Sequence, residues 1–210
     1  LLEAEPVLVM SHLACADEAD HPMNAAQLRV FRRMIEGIDV PASLAATGGT
    51  LLGEDYHFDM TRPGIGLYGG RPFEAAEPVV MLDAPVISCF DVFRGETSGY
   101  GAAWAAPAPT RLATVAVGYA DGLHRALAYG MEVMAGPVPC PVVGRISMDL
   151  ITVDIGHLDD DPDVLSILTP HHGIDILADA AETIGYEILT SLGRRYDRRY
   201  RGEAGWDQTT

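Results

Sequence analysis

The chain has 210 residues, 48% of them apolar, enough to bury a core in one large domain or two small ones, which excludes a disordered chain. Its formal net charge of −16 at pH 7 argues against nucleic acid and anionic membrane as partners. No run reaches transmembrane length and no basic stretch leads into an apolar one at the start, so a cytoplasmic protein is the expectation. Cys15, Cys89 and Cys140 are widely spaced with no Cys-x-x-Cys pair, which suits a reducing compartment and buried small apolar roles, with neither a disulfide framework nor a zinc site. All fourteen basic residues are arginine, so a mechanism needing a Schiff-base amine is incomplete within these residues. The opening Leu1-Leu2-Glu3-Ala4-Glu5 has no initiator Met and runs straight into an apolar strand, which reads as a chain beginning mid-fold.

In chain order, Pro6 to Met10 reads as a short buried strand ending in Ser11-His12-Leu13-Ala14-Cys15-Ala16-Asp17. Polar tips after apolar strands are where α/β folds carry chemistry, although His12 alone also suits a hydrogen-bonded loop histidine. Pro22 and a capping Asn24 open a helix in which Leu28, Phe31, Ile35 and Ile38 recur at helical spacing; Gly37 marks its end. Pro41 to Thr47 reads as a second strand, followed by Gly48-Gly49-Thr50. The Thr47 hydroxyl could donate to a phosphate or cap a helical turn.

The next stretch, Thr61-Arg62-Pro63-Gly64-Ile65-Gly66-Leu67-Tyr68-Gly69, puts one arginine before a stiff Pro-Gly turn. Gly64 has no Cβ, so an anion could approach the N–H groups of Gly64 and Ile65 beside a guanidinium, holding a phosphate and a ring nitrogen together. A strand entered through a turn, with a surface arginine, is the other reading.

From Val79 on, the texture changes. Val79 to Phe93, Arg111 to Val117, Met131 to Met134, Val138 to Val143 and Leu150 to Ile155 read as strands, with no helical period for about ninety residues. A second, β-strand-rich domain is therefore expected, with a boundary near residue 75: 1–75 and 76–210. Three polar punctuation marks interrupt it: Gly95-Glu96-Thr97-Ser98-Gly99-Tyr100-Gly101-Ala102-Ala103-Trp104, Gly118-Tyr119-Ala120-Asp121-Gly122 and Gly144-Arg145-Ile146-Ser147-Met148-Asp149-Leu150. Each is either a surface turn or a hydrogen-bonding side chain set among small residues. Ile174, Leu177, Ala181 and Ile184 then predict an amphipathic helix with Asp175 and Asp179 facing out, continuing through Tyr186 to Leu192. His171-His172 lacks a carboxylate or cysteine at ligand spacing, so no metal is expected. The arginine-rich Arg194 to Arg201 suits a surface strand or an anion-neutralising patch.

Ser-His-Leu-Ala-Cys-Ala-Asp-Glu, Arg-Pro-Gly-Ile-Gly-Leu-Tyr-Gly, Gly-Glu-Thr-x-x-Tyr-Gly, Gly-Tyr-Ala-Asp-Gly and Gly-Arg-Ile-Ser-Met-Asp together resemble alanine racemase, in order and spacing, from about residue 6 to about residue 201. The resemblance is to the C-terminal portion of that enzyme. It implies the end of a (β/α)8 barrel that binds pyridoxal 5'-phosphate, followed by a β-rich domain. It implies racemisation of L-alanine to D-alanine for peptidoglycan precursors, complete only with an N-terminal half carrying the cofactor lysine, and a head-to-tail homodimer with shared sites. Serine or another small amino acid is the alternative substrate; a non-catalytic fragment or dimerisation module is the alternative function.

By position, the resemblance makes Tyr100 the catalytic base opposite the lysine. It places His12 beside the cofactor ring, Arg62 on the pyridine nitrogen, and Thr47, Gly64 and Ile65 on the phosphate. Tyr119, Met148 and Asp149 fall in the substrate site and its entrance. Two positions depart from the family: Ala46 stands where asparagine is common, and Arg194 where a tyrosine often meets the phosphate, with Tyr196 close by. A guanidinium can bind phosphate bidentately, so Arg194 joins the expected cofactor-binding residues.

Overall fold

The computed structural model describes residues 6–202 and 205–207. The chain divides into two units: residues up to Val80 with Gly173–Asp175, and Met81–His172 with the residues from Ile176 on.

The first unit is mixed α/β. β1 (Val9–Met10) pairs in parallel with β2 (Ala42–Ser43), joined by α1 (Pro22–Met34). The strands expected over 6–10 and 41–47 shrink to these two-residue pairings. The second run ends in α2 (Thr47–Leu51), which takes its last residue, because the Gly48-Gly49 pair favours a turn over a pleated ladder. A third parallel contact, Ala46 with Arg62, lies on the other side of β2, with Arg62 N donating to Ala45 O at 2.8 Å. Leu28 and Phe31 of α1 pack on Leu13, Ala42 and Leu44. Phe31 meets Phe58 edge to face, centroids 5.0 Å apart.

The cap of α1 differs from expectation. Pro22 is the first helical residue, so the capping position falls to His21, whose Nδ1 accepts the Met23 N–H at 3.2 Å. Asn24 is instead buried in the first turn and donates to Glu18 O at 2.9 Å. The helix stops at Met34, with Ile35 as its cap and Ile38 outside it.

The second unit is a closed antiparallel barrel. Its strands are β3 (Leu82–Val92), β6 (Thr110–Val115), β7 (Glu132–Ala135), β8 (Val138–Val143), β9 (Ile151–Asp154) and β10 (Val164–Leu168), in the order β10-β3-β6-β9-β8-β7. A hairpin of β4 (Thr97–Ser98) and β5 (Trp104–Ala105) is inserted between β3 and β6. Alternation is clearest in β9, where Ile151 and Val153 are buried between half-buried Thr152 and Asp154. The sequence expectation includes no strand at 164–168, yet Val-Leu-Ser-Ile-Leu closes the barrel by pairing with β3 and, through Ser166, with β7. Closure removes the open sheet edges.

The expected helix over 174–192 is two helices, α3 (Ile174–Ala180) and α4 (Gly185–Ser191). Glu182 takes φ 54°, which ends α3, and Ile184 becomes the exposed cap of α4. Asp175 is half-buried, not outward-facing: its carboxylate accepts the Arg71 N–H at 2.8 Å. A last hairpin joins β11 (Tyr200–Gly202) to β12 (Gly205–Asp207). The mixed α/β part followed by the strand-rich part is the fold class expected from the sequence. Among the described residues, no helix is long and apolar enough to cross a membrane.

Candidate active site

The first unit gathers His12, Thr47, Arg62, Gly64 and Ile65. Arg62 is held from two sides, by the turn after β1 and by the last residue of β2. Its Nη2 donates to Ser11 O at 2.8 Å and lies 3.4 Å from His12 Nδ1. Its Nη1 donates to Ser43 Oγ, a fully buried hydroxyl that in turn donates to Met60 O at 2.6 Å. A planar guanidinium bonded at two nitrogens has one orientation, so the strand-end residues Ser11 and Ser43 set where Arg62 points.

Immediately after it, Gly64 N and Gly66 N donate to Thr47 Oγ1 at 3.0 and 3.3 Å. Thr47 opens α2 behind Ala46, which supplies no side-chain cap. Ile65 begins a 3-10 turn that ends at Gly69. Gly66 is required here: a Cβ would lie 2.8 Å from Thr47 Cγ2. The result is a hydroxyl whose oxygen accepts two backbone N–H groups, which leaves its own proton to donate to an anion beside a turn that follows a fixed cation.

The second unit brings the three punctuation motifs side by side. Tyr119 N and Ala120 N donate to Ser147 O and Met148 O at 3.0 and 2.9 Å, zipping the Gly118–Gly122 turn to the Ser147–Met148 turn. A Cβ on Gly118 would sit 2.4 Å from both Ser147 O and Met148 O, so this approach needs glycine. The turn bearing Tyr100 runs beside Arg145, and Ser98 Oγ reaches Thr152 Oγ1 of β9 at 3.3 Å. Tyr100, Tyr119 and Met148 are exposed, with Tyr100 at 73%.

Asp121 and Asp149 are linked through a residue that sequence reasoning did not single out. Arg195 Nε lies 3.3 Å from Asp121 Oδ1, and its Nη1 donates to Asp149 Oδ1 at 2.7 Å. These two carboxylates hold the Arg195 guanidinium above the usual arginine range. Asp121 is itself buried and accepts the Gly118 N–H at 2.8 Å. The only sequence signal for Arg195 was its place in an arginine run. Arg194 is exposed in the same irregular segment. Tyr196 is half-buried, and its hydroxyl finds no hydrogen-bond partner among the described residues. Burial, then the Asp121 carboxylate, push that phenol up to about 12. Ser11, Ser43 and Met60, which orient Arg62, were also not singled out; Ser11 and Ser43 sit at strand ends, but nothing local marks any of the three as an arginine partner. Among the described residues, no group of three or more His, Cys, Asp or Glu gathers to hold a metal.

Two family descriptions match: "Alanine racemase, N-terminal domain" over residues 1–72 and "Alanine racemase, C-terminal domain" over residues 79–200. An alanine racemase of Cereibacter sphaeroides is 63% identical over 199 residues, 95% of this chain and 57% of that protein. One of Rhizobium meliloti is 45% identical over 219 residues, 95% of this chain and 58% of that protein. The alanine racemase structure from Bartonella henselae "with covalently bound pyridoxal phosphate" superposes with a TM-score of 0.86 at 38% identity, covering 91% of this chain and 56% of that one. The biosynthetic enzyme from Pseudomonas aeruginosa gives 0.85 at 36% identity, covering 93% and 57%. The chain thus spans a little over half the length of the relatives it matches.

Proposed function

The chain belongs to the alanine racemase family, and from that premise we propose that it forms the arginine-bearing part of a pyridoxal-phosphate site together with the tyrosine-bearing β-domain of a racemase acting on alanine. In this reading residues 1–75 belong to the cofactor-binding (β/α)8 barrel and residues 76–210 form the β-rich domain. The enzyme works in the cytoplasm, supplying D-alanine to peptidoglycan precursors.

The observation that carries it is a rigidly oriented Arg62 followed directly by the Gly64–Gly66 turn, whose amides converge on the Thr47 hydroxyl oxygen. These residues fit pyridoxal 5'-phosphate: Thr47, Gly64 and Ile65 would hold its phosphate, Arg62 its pyridine nitrogen, and His12 would lie beside the ring. Arg194 would add a second cation for the phosphate. When bound, the cofactor supplies the electron sink that lets a substrate Cα lose its proton. Arg62 keeps its own proton and can only donate, so it leaves the pyridine nitrogen without one and limits the depth of that sink. Tyr100 holds and moves the proton at Cα on one face, with a lysine doing so on the other. Tyr119, Met148 and Asp149 shape the substrate entrance. Because the 210 residues contain no lysine, that amine comes from a further segment. A head-to-tail homodimer would bring Tyr100 of one protomer to the Arg62 set of its partner.

Co-expression with the lysine-bearing N-terminal segment of the Cereibacter sphaeroides relative, in a bacterium that requires D-alanine, tests this. Growth without D-alanine is expected for this chain and not for Tyr100→Phe. Failure to grow, with both segments present and folded, leaves the non-catalytic reading, a module that only binds or dimerises. The purified assembly, offered alanine and serine, decides the substrate.

A further inference from the structure

Surface ion pairs usually contribute little, because two mobile side chains give up entropy for a screened attraction. The pairing at Arg195 is built differently. One of its partners, Asp121, has a side chain only 10% exposed and is fixed from the other side by the Gly118 N–H. The other, Asp149, directly follows Met148, whose carbonyl receives the Ala120 N–H. The backbone beneath Arg195 is also tied down. Gly193 N donates to Asp121 O at 2.9 Å, and Arg198 Nη2 donates to Leu192 O and Gly193 O at 3.1 and 2.8 Å. One planar fork therefore joins three separate stretches: the Gly118–Gly122 turn, the Ser147–Asp149 turn and the segment after α4. Without it a nearly buried carboxylate would keep a single N–H and face a second carboxylate with no cation between them.

We propose that Arg195 is a positioning residue that clamps the Tyr119 turn to the Met148–Asp149 turn by bridging the two carboxylates there. The amino acid that enters then meets an ordered wall in which both carboxylates share a cation. This rests on the reading above that Tyr119 and Met148 line the substrate entrance. Asp149 acts through Arg195 as an anchor. The substrate class this favours is a small amino acid whose own carboxylate would be repelled by an open Asp121–Asp149 pair.

Amide exchange on this chain tests the clamp without any cofactor. Arg195→Ala should speed exchange at Tyr119 and Ala120 by about tenfold or more, while Val133 and Val153 in the barrel hold their rates. Arg195→Lys, which keeps the charge and loses the fork, should recover part of the protection. Arg195→Ala combined with Asp149→Asn should be no faster than Arg195→Ala alone. Unchanged exchange in Arg195→Ala, or equal acceleration throughout the barrel in both Arg195 variants, overturns the proposal. In the racemase completed by a lysine-bearing segment, Arg195→Ala should raise KM for alanine about tenfold and leave kcat within about threefold. A loss in kcat with KM unchanged also overturns it. If the wild-type assembly has no racemase activity, the functional reading fails, and the exchange measurement alone decides the clamp.

Discussion

Arg62 shows how a single side chain acquires a function from its supports. The guanidinium cannot lose its proton, so whatever ring nitrogen it meets receives a donor and no proton. Ser11 O and Ser43 Oγ fix its plane. In the completed enzyme, Arg62→Glu is therefore expected to shift product partition toward transamination, measured as pyruvate formed per turnover. Two titrating groups elsewhere give pH signatures of opposite sense. Tyr196 is raised from 10.0 to about 12, first by burial and then by the Asp121 carboxylate. The unfolded phenol ionises first, so the stability held in this group is complete below about pH 10 and is lost as pH rises through about 12. Tyr196→Phe removes both that alkaline loss and an unpartnered hydroxyl, so at neutral pH it should change stability by about 1 kcal/mol or less, measured by urea unfolding. His172 is buried, and burial lowers its pKa from 6.5. The folded state resists its protonation, so the stability it lends is present above about pH 6.5 and falls as the solution becomes more acidic. His172→Gln should lose less stability than wild type between neutral and mildly acid pH, measured by thermal unfolding.

At the level of elements, the strands that seat the candidate site are short and the turns between them do the positioning. Gly118 lies in extended backbone against two carbonyls, and the Tyr119 turn is bonded to them. Gly118→Ala must push those backbones apart and is expected to cost about 1–3 kcal/mol. It should also loosen Tyr119, with both effects visible in a chemical melt combined with amide exchange. β10 was invisible in the sequence because five residues, four of them apolar, are too few to show a period that separates a strand from a loop plug. Its Leu165 and Ile167 are fully buried. Leu165→Ala should cost about 2–5 kcal/mol, measured by urea unfolding, because it empties the barrel interior where β10 closes the sheet. The split of α3 from α4 was equally hidden: Ile184 continues the helical apolar spacing, yet Glu182 turns left-handed and Ile184 ends up exposed.

For the molecule as a whole, a net charge of −16 means that the folded chain repels itself. Its thermal midpoint should rise with added neutral salt up to physiological ionic strength, where the screening length is about 8 Å. A midpoint that falls with salt would show that pairs such as Arg111 with Asp91 and Asp161 outweigh the general repulsion.

Read locally, the residues determine much of this protein. The order of five short motifs identifies the family, the change from helical to alternating pattern announces two kinds of architecture, and Arg62 and Thr47 stand out beside their glycines. These features are legible because they live in spacings of two to four residues. What only tertiary structure decided is partnership at long range. Ser43 meets an arginine nineteen residues on, and Arg195 meets Asp149 at a separation of 46 residues. Likewise, β10, the last barrel strand in the chain, pairs side by side with β3, the first. Each side chain advertises its charge or its apolarity in sequence, but the choice among many equivalent partners is made by the backbone path, and that path is set by the packing of the whole core.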